Sequence, residues 1–109
     1  MNIRLYLWQR GTAMLLVPMI LVHLAVIFYA TSQNLTADAI LSRTRGSVTW
    51  GLFYGIFVLL AAIHASIGVR NILQEWGRLR DRTAGQLAVL FGVLLLFLGL
   101  RAVAAVVMP

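Results

Sequence analysis

Two histidines stand inside long apolar stretches of this chain of 109 residues, and their chemistry is the most informative feature of the sequence. His64 lies near the middle of one stretch, and His23 lies within another. An ionisable side chain at bilayer depth is costly, so it indicates a functional site by default. A neutral imidazole is the commonest metal ligand among side chains and a usual ligand of haem iron. Both histidines are therefore candidate metal ligands.

The surroundings of the two histidines differ. Ala61 lies one helical turn before His64 and Gly68 lies one turn after it, which leaves room beside the imidazole for a flat macrocycle. Small residues also permit close helix packing, and His64 could instead bond to a carbonyl or a serine of a neighbouring helix. We favour the haem. His23 has no small residues one turn before and after it. For His23, metal ligation and an interhelical hydrogen bond are equally open.

The composition is that of a membrane protein. Hydrophobic residues make up 61% of the chain and charged residues 11%, whereas a soluble domain carries about a quarter charged residues. There is no cysteine, which excludes disulfides, iron–sulfur ligation and thiol catalysis. No nucleophile–base set or phosphate loop is present, so we expect a non-catalytic chain.

Three apolar segments predict an all-α membrane protein with three transmembrane helices. They cover about residues 11–31, 48–73 and 84–107, and each is long enough to span the bilayer. We read the first as a retained helix rather than a signal peptide. Residues 1–109 are expected to form a single transmembrane domain. Thr36 and Ser47 or Thr49 are expected helix caps, as is Thr83 for the third helix.

The net charge of +6 comes from nine arginines at the ends of the apolar segments. This placement points to lipid headgroups, haem propionates or an acidic partner, and not to nucleic acid. Six arginines lie at the N-terminal segment and the second loop: Arg4, Arg10, Arg70, Arg78, Arg80 and Arg82. Because positive charge stays inside, the N-terminus is predicted to be inside.

The predicted helix boundaries place the two histidines near the same depth. His23 would lie about 18 Å from the inner start of the first helix, and His64 about 15 Å from the inner end of the second. One haem held by both is then possible. Equally, each could hold a haem together with a partner chain.

Three further residues lie near the predicted inner surface. Arg10 and Arg70 are placed to pair with haem propionates, although both could simply extend to headgroups. Trp76 follows an acidic residue at the helix end. Its indole N–H could donate to a quinone carbonyl, and its alternative role is that of an interface anchor.

The second helix carries the motif His64-Ala-Ser-Ile-Gly68-Val-Arg70, followed by Glu-Trp76-Gly. This motif resembles the second transmembrane helix of the membrane anchor subunits of succinate dehydrogenase and fumarate reductase. The segment Gln-Arg10-Gly-Thr-Ala resembles the arginine-containing start of the first helix of that family. The resemblance covers most of the chain, with three helices in the same order.

The resemblance implies a haem b and a quinone, either ubiquinone or menaquinone. His64 matches the axial haem ligand of the family, and Arg10 matches an arginine near the haem propionates. Trp76 stands where the family usually has a quinone-contacting tyrosine. His23 has no counterpart in anchors with one haem, but some relatives place a further histidine on the first helix for a second haem.

The resemblance also implies partners and a location. The anchor packs in a helical bundle with a second membrane anchor subunit, among membrane lipids, and docks an iron–sulfur subunit that carries a flavoprotein subunit. We expect a multi-pass protein of the bacterial inner (plasma) membrane. The rival interpretations are a haem-free structural anchor and a haem b subunit of another respiratory dehydrogenase.

Overall fold

The computed structural model describes residues 3–108, and these form four α-helices and no strand. The helices are α1 (Ile3–Ser32), α2 (Ala37–Thr44), α3 (Val48–Glu75) and α4 (Asp81–Val107). α1, α3 and α4 are long and apolar enough to cross a membrane. The prediction of an all-α protein with three membrane spans is confirmed.

Two of the predicted helix starts are wrong. α1 begins at Ile3 rather than near residue 11, because Arg4 and Arg10 are accommodated within a helix whose long side chains can reach the headgroups. α4 begins at Asp81, after Arg80, so Thr83 is not its cap. The other caps follow expectation, since Thr36 and Ser47 accept backbone N–H groups at the starts of α2 and α3.

α3 is the central helix, because it packs against both α1 and α4. The start of α1, the end of α3 and the loop 76–80 share one end of the molecule, which we call the N-terminal end. The short helix α2 packs against α4 at the opposite end, which we call the α2 end. The long axis is 48 Å, close to the thickness of a bilayer with its headgroups.

Small residues bring α3 and α4 close together. Ala84 and Ala88 are almost completely buried, and a Cβ on Gly99 would lie 2.5 Å from a methyl group of Val58. The Ser66 hydroxyl donates to the Ala88 carbonyl at 2.8 Å. Close backbone approach with an interhelical hydroxyl bond is the usual way for helices to associate in lipid, where the hydrophobic effect does not drive them together.

The first loop is held to the end of α4 by two hydrogen bonds. The Thr44 hydroxyl donates to the Val106 carbonyl, and the Gly46 N–H donates to the Val107 carbonyl, both at 2.6 Å. Gly46 has a φ of 75°, a left-handed conformation that glycine adopts without strain. These bonds satisfy carbonyls that the last turn of α4 leaves without partners.

The Gly99–Val58 contact predicts a specific packing defect. We expect Gly99→Ala to destabilise the fold by about 1–3 kcal/mol, because the new methyl group overlaps a β-branched side chain that has little rotamer freedom. Unfolding of the purified protein in mixed micelles, followed by circular dichroism, measures this change.

Gly55→Ala is the matched control, because nothing lies within 4 Å of a Cβ built there. It should be neutral or slightly stabilising, since alanine favours helix over glycine. The double variant Gly99→Ala/Val58→Ala should recover part of the loss. Equal stability of the two single glycine variants would show that this contact does not limit the approach of α3 and α4.

Candidate functional site

His64 is joined to α1 through Thr12. Thr12 is 2% exposed, and its hydroxyl oxygen lies 3.1 Å from Nδ1 of His64. The same oxygen lies 2.7 Å from the Trp8 carbonyl and 3.1 Å from the Gln9 carbonyl, within the preceding turn of α1. The Thr12 hydroxyl therefore connects the α1 backbone to the imidazole on α3.

The carbonyls near Thr12 favour one tautomer of His64. The Thr12 hydroxyl has one proton, and the Trp8 carbonyl is its nearest acceptor. With that proton donated to the carbonyl, the Thr12 oxygen accepts a hydrogen bond from Nδ1–H of His64. In that arrangement Nε2 keeps its lone pair. Metal-bound histidines commonly have such a partner on the other ring nitrogen.

A groove of about 340 Å³ runs beside Thr12. Its walls are mostly apolar, and one of them, Leu60, lies one turn before His64 on α3. Nothing lies within 4 Å of a Cβ built on Gly11, so this side of α1 is open. Arg4 lines the groove near the N-terminal end. His64 itself is not among the residues that line this groove.

Gly68 faces a side chain of α1. A Cβ on Gly68 would lie 3.5 Å from Nε2 of Gln9, and Oε1 of Gln9 is buried without a hydrogen-bond partner in the described chain. Sequence reasoning missed Thr12 and Gln9 as site residues. The only signal for them was their helical spacing along α1, and assigning it requires the register of α1 on α3.

His23 lies in a different environment, nearer the α2 end. Its ring makes edge-on contacts with Tyr54 and Phe57, with centroids 5.7 and 5.3 Å apart. Nδ1 of His23 is buried and has no hydrogen-bond partner among the described residues. The ring also lines a cavity of about 440 Å³ between the helices.

The expectation that His23 and His64 lie near one level is wrong. His64 neighbours Thr12, whereas His23 lies eleven residues further along α1, a rise of about 16 Å. The error came from the predicted start of α1, because a helix that begins at Ile3 places His23 much deeper. Within this chain the two imidazoles do not meet at one iron.

The two arginines of the predicted site have different surroundings. Arg10 is exposed, and its guanidinium lies 5.8 Å from the ring centroid of Tyr6. Arg70 forms an ion pair with Asp81, and Gln74 donates to the same carboxylate oxygen at 2.7 Å. Nη1 of Arg70 is buried without a partner in the described chain. Arg70 thus ties the end of α3 to the start of α4.

Trp76 is the C-cap residue of α3 and is 83% exposed at the N-terminal end. Its backbone N–H donates to the Ile72 carbonyl, and its indole projects from the described chain. Within residues 3–108, no cluster of three or more histidine, cysteine or acidic side chains is arranged to hold a metal ion.

Comparison with known proteins gives one family. The family model for the succinate dehydrogenase/fumarate reductase transmembrane subunit matches residues 2–104. Searches of the curated proteins and of the solved structures found no match to this chain. The matched range contains both histidines, α1, α3 and all but the last three residues of α4.

Proposed function

The chain belongs to the family of succinate dehydrogenase/fumarate reductase transmembrane subunits, and we propose that, as such a membrane anchor, it binds haem b through Nε2 of His64. The observation that carries the proposal is the bond between Thr12 and Nδ1 of His64. It leaves the Nε2 lone pair available and fixes the orientation of the ring, as partners of metal-bound histidines do.

The residues around His64 fit such a group. Ala61 and Gly68, one turn on either side of His64, leave space beside the imidazole. Arg4 and Arg10 are exposed cations near the N-terminal end that can pair with propionates. We favour Arg10 over Arg70 for this role, because Arg70 already pairs with Asp81. The haem, when bound, supplies a one-electron carrier inside the bilayer.

We propose two protein partners, one at the haem and one at the N-terminal end. A further ligand to the haem would come from a second membrane anchor subunit, since His23 does not reach His64. The N-terminal end carries exposed Arg78, Arg80 and Arg82, which suit an acidic patch on the iron–sulfur subunit that bears the flavoprotein. Positive charge at this end favours an inside location, which in a bacterium is the cytoplasmic face of the inner membrane.

We propose a quinone site near Trp76. The indole is exposed at the same end as the docking arginines, where a quinone would receive electrons from the iron–sulfur subunit. The indole N–H has a single donor function and would bond one quinone carbonyl. Either ubiquinone or menaquinone offers that acceptor.

The haem proposal predicts the spectrum of a variant. In the purified complex, reduced-minus-oxidised spectra of the wild type should show a b-type α-band that is lost or shifted in His64→Ala, because the axial nitrogen is removed. Ser66→Ala is the control two residues further on, since its hydroxyl faces α4. A normal α-band in His64→Ala, or none in the wild type, would contradict the assignment.

The role of Thr12 predicts a graded effect. Thr12→Val keeps the shape of the side chain but removes the hydroxyl, and should weaken haem binding about 10- to 100-fold. Thr12→Ser keeps the hydroxyl and should stay close to wild type. Haem titration into the apo complex, together with the haem midpoint potential, measures both variants. Identical values for valine and serine would show that the hydroxyl does not position His64.

The quinone proposal predicts a change in KM. Trp76→Phe retains an aromatic anchor but loses the N–H donor, so KM for quinone should rise roughly 2- to 10-fold, the value of one hydrogen bond. Trp76→Tyr retains a donor and serves as the control. Succinate oxidation with an artificial acceptor that bypasses quinone should be unchanged in both. No difference between the two variants would leave Trp76 only as an interface anchor.

A further inference from the structure

Arg101 is a charged residue within a membrane-spanning helix and has no role in the site around His64. It lies six residues before the last residue of α4, a rise of about 9 Å. Its side chain is exposed and enters no ion pair within residues 3–108. A charge at that depth on the outside of a helix is costly unless it reaches a headgroup or an opposite charge. Because no described residue supplies that partner, it comes from the surroundings of α4.

The face of α4 that carries Arg101 is apolar and exposed. With 3.6 residues per turn, Leu90, Leu94 and Phe97 lie on the same side of the helix as Arg101. Their side chains are 67%, 53% and 62% exposed, so neither α1 nor α3 covers this side. The face runs along most of α4 and offers a continuous apolar surface to whatever surrounds the chain.

The glycines and alanines between residues 82 and 101 lie on the other side of α4. They are buried or lie against side chains of α3: Ala84, Gly85, Ala88, Gly92 and Gly99. Helices associate in lipid mainly through such small residues, because these let two backbones approach closely. The exposed face has none of them and consists of large aliphatic and aromatic side chains. Its composition therefore favours contact with lipid over contact with another helix.

Two positive charges mark the ends of the apolar stretch on this face. Arg82 lies in the first turn of α4 and is exposed at the N-terminal end. It is 19 positions from Arg101, a rise of about 28 Å, close to the hydrocarbon core of roughly 30 Å in a bilayer. α1 gives a similar length independently, because its exposed aromatic residues Trp8 and Tyr29 are 21 positions, or about 31 Å, apart. Aromatic and basic residues commonly mark the two membrane surfaces.

We propose that the exposed face of α4 between Arg82 and Arg101 contacts phospholipid and not a protein partner, and that the guanidinium of Arg101 binds the phosphate of a lipid in the leaflet at the α2 end. A guanidinium and a phosphate form a charge-assisted, bidentate pair, and the long arginine stem can reach the headgroup from within the apolar layer. The apolar length between the two arginines then matches the chain to a hydrocarbon core of about 28 Å. This contact goes beyond the haem and quinone functions and does not depend on them.

The first test moves the charge along α4 without changing the composition. The exchange variant Arg101→Phe/Phe97→Arg places the guanidinium one turn, about 6 Å, nearer the N-terminal end on the same face. The intact complex is reconstituted in phosphatidylcholine vesicles of graded acyl-chain length, and the temperature at which half of this chain leaves the complex is measured in each. The wild type and Arg101→Lys should be most stable at the same chain length, and the exchange variant in thinner bilayers. An optimum that does not move would overturn the proposal.

The second test identifies what covers this face and does not alter Arg101. Leu94, near the middle of the face, is replaced by the photoreactive residue p-benzoylphenylalanine, and the intact complex is irradiated in phosphatidylcholine vesicles. We expect the isolated chain to gain the mass of one phospholipid. A cross-link to another protein chain would overturn the proposal, as would loss of the second membrane anchor subunit from an Arg101→Leu complex in every bilayer. The His64-dependent α-band of each sample reports on the haem proposal separately.

Discussion

The lack of water in the hydrocarbon core is the constraint on which this structure depends. Every backbone polar group there must find a partner within the protein, which confines the backbone to helices. Hydroxyl groups likewise donate to nearby carbonyls. Thr12 donates to α1, Ser66 donates across to α4, and Thr44 donates to the end of α4. The Ser66 and Thr44 bonds join different helices and so help fix their register. The register of α1 on α3 in turn places a hydroxyl oxygen against His64.

Two histidines in similar apolar surroundings illustrate how one missing contact changes the chemistry. On α3, an oxygen from α1 meets Nδ1 of His64. On α1, the rings of Tyr54 and Phe57 surround His23 and offer Nδ1 no acceptor. The imidazole is the same, but Nδ1 has a hydroxyl neighbour in one case and no hydrogen-bond partner among the described residues in the other. The surroundings of each ring therefore differ more than the sequence around it suggests.

The sequence alone was sufficient for the number of spans, because hydropathy over about 20 residues is a strong signal. The caps Thr36 and Ser47 were also predictable, since hydroxyl N-caps are a local property. The starts of α1 and α4 were not, because arginines at a membrane surface are compatible with helix or loop. His64 could be identified as a candidate ligand from its position near the middle of an apolar stretch. Its contact with Thr12 spans 52 positions in sequence and depends on packing that no local pattern records.

The bonds from Thr44 and Gly46 to the end of α4 also bear on how the chain is made. The donor residues are synthesised about sixty residues before their acceptors. The first loop therefore lacks these two hydrogen bonds while α1 and α3 enter the membrane. α2 acquires its anchor only when α4 has been inserted and its last turn has emerged at the α2 end. Insertion of α4 therefore fixes α2 in place. The cavity that α2 borders is completed in this last step of insertion.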